Sequence, residues 1–164
     1  MPYYMKVDGM EELSALLTEM GDKAQGVAAR ALYEGAGLMR EEVAKSAGTI
    51  RTAPFRYAAN GNTRLPSPEE KAIVEAAAVG IAKFDKDGAD VNTSVGFRNA
   101  GYAQLAGKTV PIPKIVNAIN SGTSFMNKQP FVRKAAKSGG TKAMKAMKDA
   151  IQADFDAMIK NNGG

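Results

Sequence analysis

The 164 residues include no cysteine, no histidine and no tryptophan. Without cysteine, thiol nucleophiles, disulfides and thiolate zinc sites are excluded from this stretch of chain. Without histidine, so are imidazole general bases and imidazole metal ligands. Long apolar runs are missing too: the most apolar stretch, Ala72 to Ala82, carries Glu75 and is too short to span a bilayer. Met1-Pro2-Tyr3-Tyr4 lacks the basic and apolar regions of a secretory signal. These absences predict a soluble protein made inside a cell, whose stability owes nothing to oxidative stapling.

What is present fits an ordinary globular chain, 45% apolar and 24% charged, of a length that suits one domain over residues 1–164. The net charge of +5 is unevenly spread. From Arg98 to Lys148 there are ten basic residues and no acidic one, so the remainder of the chain is mildly acidic. A one-signed segment favours an anionic partner, either nucleic acid or an acidic protein surface, although a solvated face has the same composition.

Local patterns predict an α+β fold: a long N-terminal helix pair and a C-terminal helix packed on a small antiparallel sheet. Tyr3–Val7 reads as a strand ended by Asp8-Gly9, with a capped helix after it carrying Leu13, Leu16, Leu17 and Met20. A longer helix is expected from Asp22 to Ala47, burying Leu32, Ala36, Met39 and Val43 and exposing Arg30, Glu34, Glu41 and Lys45. Ala24, Ala28, Ala31 and Gly35 form a second stripe of small residues. Gly26, Gly35 and Gly37 each weaken a helix by about 1 kcal/mol relative to Ala, which points to close packing inside the chain or across a subunit boundary.

Residues 48–66 read as a long flexible loop containing Arg51, Arg56 and Arg64 with Phe55 and Tyr57. Ser67-Pro68-Glu69-Glu70 is a helix start with a capping box, and its helix is expected to reach Val79. Ile81–Asp85 and Val91–Phe97 read as two strands of a hairpin turning at Lys86-Asp87-Gly88. A short helix is expected over Lys114–Asn120, stopped by Gly122. Beyond Pro130 the chain reads as helical, interrupted at Gly139-Gly140 and re-capped by Thr141. Met144, Met147, Ile151, Phe155 and Met158 make its buried stripe, with Lys142, Lys145 and Lys148 on another side and fraying over 161–164.

Chemistry-bearing patterns are few. Gly101 to Thr109 resembles a phosphate loop, but five residues rather than four separate its glycines, and Val110-Pro111-Ile112-Pro113 follows where a helix should open. The adjacent pairs Glu11/Glu12, Glu41/Glu42 and Glu69/Glu70 point about 100° apart on a helix and do not converge. Asp85, Asp87 and Asp90 lack EF-hand spacing and are read as turn residues. No catalytic residue, cofactor or metal is predicted, and the chain is not expected to be an enzyme.

Two segments resemble the neck, or tail-completion, proteins of tailed bacteriophages, also described as head–tail joining or minor tail components. One is Val7-Asp8-Gly9-Met10-Glu11-Glu12-Leu13 leading into the long Ala-rich helix, similar to a "G-x-E-E-L" turn. The other is Ala118-Ile119-Asn120-Ser121-Gly122-Thr123-Ser124 followed by Gln129-Pro130-Phe131-Val132-Arg133-Lys134-Ala135, similar to an aromatic-Gly-Thr turn before "Pro-Phe-Leu/Ile-Arg-x-Ala". Val95-Gly96-Phe97 resembles the strand preceding that region. The matches cover about half of the chain; where the family often has an acidic residue in a strand, this chain has Asn120-Ser121 after a helix.

The resemblance implies a virion protein of the neck, assembled in the host cytoplasm into a homo-oligomeric ring, hexamer or dodecamer. Such a ring would sit between a head-side connector or stopper and a tail-tube or tail-terminator protein, with DNA passing through its lumen. Gly9, Gly122, Thr123, Pro130, Phe131 and Arg133 are its motif residues. Arg51, Arg56, Arg64, Lys108, Lys114, Lys128, Lys134 and Lys137 are candidate contacts to a partner or DNA. The alternative is a small basic nucleic-acid-binding module.

Overall fold

A computed structural model describes residues 21–53, 63–87 and 90–162. The expected strand at Tyr3–Val7, the helix after it, and Gly9, Phe55, Arg56 and Tyr57 lie outside the described residues. The architecture is α+β, as the patterns predict. In chain order it comprises a 3-10 turn (Gly21–Lys23), α1 (Ala24–Ala47), α2 (Pro68–Ala76), β1 (Gly80–Ile81), β2 (Asp85–Asp87), β3 (Asp90–Asn92), β4 (Val95–Gly96), β5 (Tyr102–Leu105), β6 (Lys108–Pro111), α3 (Ile112–Ser121) and α4 (Phe131–Asn162). The β structure is divided into three two-stranded ladders, β1 with β4, β2 with β3, and β5 with β6.

The contacts gather the described residues into two compact units. The first comprises residues 21–39, 81–87, 90–95 and 138–162. Here Val27, Ala31, Ala36 and Met39 of α1 are buried, as are Ala143, Met144, Met147 and Ile151 of α4. Gly35 faces Met147 so closely that a Cβ there would stand 2.8 Å from the Met147 Cγ. One member of the small-residue stripe is therefore explained by internal packing. Gly26 and Gly37 have open space where a Cβ would go, and nothing in the structure explains them. Leu32, Phe155 and Met158, expected in the buried stripes, are half-buried. The Ile81–Phe97 hairpin is present but broken: β2 pairs antiparallel with β3 through Lys86 and Val91, and Ala82 NH donates to the Ser94 carbonyl at 2.8 Å below them. Tyr33 meets Phe84 with ring centroids 6.4 Å apart.

The second unit comprises residues 40–53, 63–80 and 96–137. α2 starts as the sequence predicts: Ser67 Oγ accepts from Glu70 NH, and the Glu70 carboxylate accepts from Ser67 NH. It ends at Ala76, short of Val79, with an extended Ala77 as its cap. α3 begins two residues earlier than expected, at Ile112, with Pro113 in its first turn where a missing NH does no harm. Its buried side is Ile112, Ile115, Val116, Ile119 and Asn120.

One further expectation is corrected and two segments are defined. Gly101–Thr109, whose glycine spacing already argues against a phosphate loop, forms most of the β5–β6 hairpin, with Tyr102 paired to Pro111 and Leu105 to Lys108. Its turn residues Ala106 and Gly107 have φ of 50° and 75°, the positive values that a type I′ turn needs at both positions. α4 runs without interruption through Gly139-Gly140 for 32 residues. Gly139 is buried and continues the line from Ala135 to Ala143, so tertiary packing overrides propensity. The described ends of the expected flexible loop are tied down: Ile50 and Pro66 are buried, and Ala53 NH donates to the Pro66 carbonyl at 3.1 Å. Among the described residues, no helix is long and apolar enough to cross a membrane.

Candidate functional site

The described motif residues, Gly122, Thr123, Pro130, Phe131 and Arg133, lie on the connection between α3 and α4 and at the start of α4, within the second unit. α3 stops because Gly122 takes φ 76°, a conformation that other residues rarely adopt. Space enforces the same choice: a Cβ on Gly122 would stand 3.1–3.2 Å from the Lys128 N, Cα and Cβ. Thr123 then closes the turn. Its NH donates to the Met126 carbonyl at 3.0 Å, and its Oγ1 accepts from the NH groups of Phe125 and Met126 at 3.1 and 3.0 Å.

The turn is fastened to the segment before α2. Arg64 NH donates to the Phe125 carbonyl at 2.7 Å, and Asn127 NH donates to the Arg64 carbonyl at 2.9 Å, a parallel bridge between residues 64 and 126. Gln129 grips a third strand of chain: its Nε2 donates to the Arg51 carbonyl and its Oε1 accepts from Arg51 NH, both at 2.9 Å.

The start of α4 is satisfied from a distance. Asn120, 3% exposed near the end of α3, accepts the Val132 NH on its Oδ1 at 3.1 Å. Pro130 precedes the helix and its carbonyl accepts from Lys134 NH at 3.0 Å. Phe131, 2% exposed, lies edge-on to Phe97 with centroids 6.1 Å apart, and its carbonyl accepts from Ser46 Oγ at 2.7 Å. Gly122, Thr123, Pro130 and Phe131 thus have local structural roles, while Arg133 is exposed.

The candidate contact residues divide. Arg64 is corrected: its guanidinium forms a two-pronged ion pair with the Glu70 carboxylate, at 2.6 and 2.7 Å, with side chains 13% and 5% exposed. It serves the fold and is not presented to a partner. Arg51, Lys108, Lys114, Lys128, Lys134 and Lys137 are all exposed, and none forms an ion pair with a described residue. The seven basic residues of Gly96–Lys137 are exposed without exception, and that stretch contains no acid.

Among the described residues the second unit holds 12 basic and 5 acidic residues, against 8 and 8 in the first. The charge therefore belongs to one compact unit, which reading the sequence linearly places only in part. Missed as well were Asn120 as a distant helix cap and Gln129 as a clamp, because neither role has a sequence signal: each partner is far along the chain.

The first unit offers a groove of about 440 Å³ lined by Lys23, Gly26, Val27, Arg30, Asp154, Ala157, Met158 and Asn161. Arg30 and Asp154 occupy each other across it at 2.8 Å. Among the described residues no group of three acidic side chains is placed to hold a metal ion. No family model, curated protein or solved structure matches this chain.

Proposed function

We propose that this chain is a structural subunit of the neck of a tailed bacteriophage, forming a ring between the head connector and the tail. The observation that carries the reading is the α3–α4 connection. The residues matched by the resemblance in this region, Gly122-Thr123 and Pro130-Phe131, stand at the two ends of this connection: Gly122 permits the turn, Thr123 closes it, and the buried Phe131 anchors the helix that follows Pro130. The stretch Gly96–Lys137 that contains them carries seven exposed cations and no acidic residue, suited to an acidic neighbour or to passing DNA. Electron microscopy of the full chain mixed with head-side and tail-side proteins of the same particle tests this. A ring of this chain at the junction is expected, and failure to join either assembly refutes the reading.

The exposure of all seven cations of Gly96–Lys137 also favours a second reading, a small basic nucleic-acid-binding module. That reading requires DNA binding that weakens steeply with salt. No retardation of DNA at low salt removes it.

A further inference from the structure

In the first unit, the exposed face of α4 changes sign once along its length. Thr141, Lys145, Asp149, Gln152 and Asp156 are all exposed and step by four, four, three and four, which places them within an arc of about 80° on a helix of 3.6 residues per turn. Gln152 Nε2 donates to Asp156 Oδ1 at 3.0 Å on this face. The opposite side of the helix is the buried one, through Ala143, Met147 and Ile151. The signs are segregated: Lys142, Lys145 and Lys148 come first, Asp149, Asp154 and Asp156 follow, and no base stands between Asp149 and Lys160.

The stability of the helix itself does not account for this order. An acid four residues before a base supports a helix better than the reverse, and Lys145 precedes Asp149. Among the described residues neither of the two forms an ion pair. A partner must therefore match both signs over about 22 Å, the rise from Thr141 to Asp156. Nucleic acid or a uniformly acidic surface is repelled by one half of this face, and a uniformly basic surface by the other.

The same helix of a second copy, run antiparallel, meets the requirement by symmetry. With residue 145 opposite residue 152 of the other copy, Lys145 stands as a knob over the hole bounded by the second copy's Asp149, Gln152, Ala153 and Asp156, the four-residue spacing of helix packing. Carboxylates close the two ends of that hole, and the small, exposed Ala153 leaves room for the approach. The same register sets Thr141 opposite the second copy's Asp156, and the two-fold axis repeats each contact.

We propose that this face of α4 is a self-association surface, on which two copies of the chain pair antiparallel with Lys145 of each between Asp149 and Asp156 of the other. The contact goes beyond the neck reading, which assigns no face of the first unit. Its ion pairs lie at the surface, so the association is modest in strength and sensitive to salt.

Sedimentation equilibrium of the full chain over a concentration series tests it. A monomer–dimer equilibrium is expected in about 20 mM salt, weakened at least tenfold (about 1.4 kcal/mol) in about 0.3 M salt. Lys145→Asp removes the cation from the face, and Asp149→Lys with Asp156→Lys removes its acids. Each variant alone should pair at least about tenfold more weakly than the parent, while an equal mixture of the two restores pairing as a heterodimer. All substituted positions are exposed, so both variants should melt within about 3 °C of the parent, and rescue in the mixture separates lost pairing from lost folding. A chain that stays monomeric at every concentration, an association that either variant leaves intact, or a mixture that stays apart overturns the proposal.

Discussion

Arg64 and Glu70 carry the largest electrostatic stakes of any described residues. Burial raises the pKa of the Glu70 carboxyl, but hydrogen bonds from Arg64 and Ser67 and the charge of Arg64 outweigh it, so the pKa is lowered. A lowered folded-state pKa means the carboxylate's stabilisation is fully present above its unfolded value of about 4.3, and is lost as pH falls through the folded value. Stability should therefore decline in acid below about pH 4, and Glu70→Gln should flatten that limb in urea titrations taken at stepped pH. Arg64→Met leaves a buried carboxylate uncompensated and should cost about 3–5 kcal/mol, whereas Arg64→Met with Glu70→Gln should recover much of the loss. If the single and double variants melt alike, the pair is not coupled. Phe131 is the matching apolar case: truncation to Ala removes a ring 2% exposed and should cost about 3–5 kcal/mol. An unchanged melting temperature would contradict its placement in the core.

At the scale of elements, α1 contains an internal control. Gly35→Ala drives a Cβ to 2.8 Å from the Met147 Cγ, an atom near the root of its side chain, and should destabilise by about 1–3 kcal/mol. Gly37→Ala, two residues on in the same helix, meets nothing within 4 Å and should stabilise by about 0.5–1 kcal/mol. Opposite signs in thermal melts confirm the facing of α1 and α4 within the first unit; equal shifts contradict it. The same helices show which features were legible in sequence. α1 and the start of α2 were, because the 3.6-residue periodicity and the Ser67–Glu70 capping box are local signals that the tertiary structure reinforces. The β5–β6 hairpin was not, because its turn places Ala106 at φ 50°, where Gly or Asn is expected, and neither Tyr102-Ala103-Gln104-Leu105 nor Lys108-Thr109-Val110-Pro111 alternates apolar with polar residue types. The continuity of α4 through Gly139-Gly140 was hidden for the converse reason: propensity argued for a break, and burial of the flanking Ala135 and Ala143 decided otherwise. At the candidate site, Gly122, Pro130 and Phe131 were readable from residue type and order. The engagement of Arg64 was not, since nothing in a run of loop residues says that a nearby helix will bury its charge.

For the whole molecule, the question is whether the charge of the second unit is surface chemistry or function, and α4 separates the two. Its first turn contains no acidic residue, and Arg133 and Lys134 stand where the helix macrodipole already presents positive charge. Each cation so placed is unfavourable by about 0.3–1 kcal/mol relative to an anion's gain at the same position. A face that serves only solubility is free to lose that cost. A face that meets an acidic partner retains it, because complementary charge raises the association rate and suppresses wrong partners. Arg133→Glu with Lys134→Glu makes the alternatives diverge. Both substitutions favour the helix terminus and leave the buried Phe131 and Val132 in place, so the melting temperature should hold or rise by about 1–4 °C. If the face docks, association with the acidic partner should slow at least tenfold at low salt, and the difference should shrink in about 0.5 M salt as the charges are screened. Stopped-flow or surface-binding rates across a salt series read this directly. A variant that is more stable and associates as fast as the parent would make the basic unit a solvated surface and remove charge from the account of assembly.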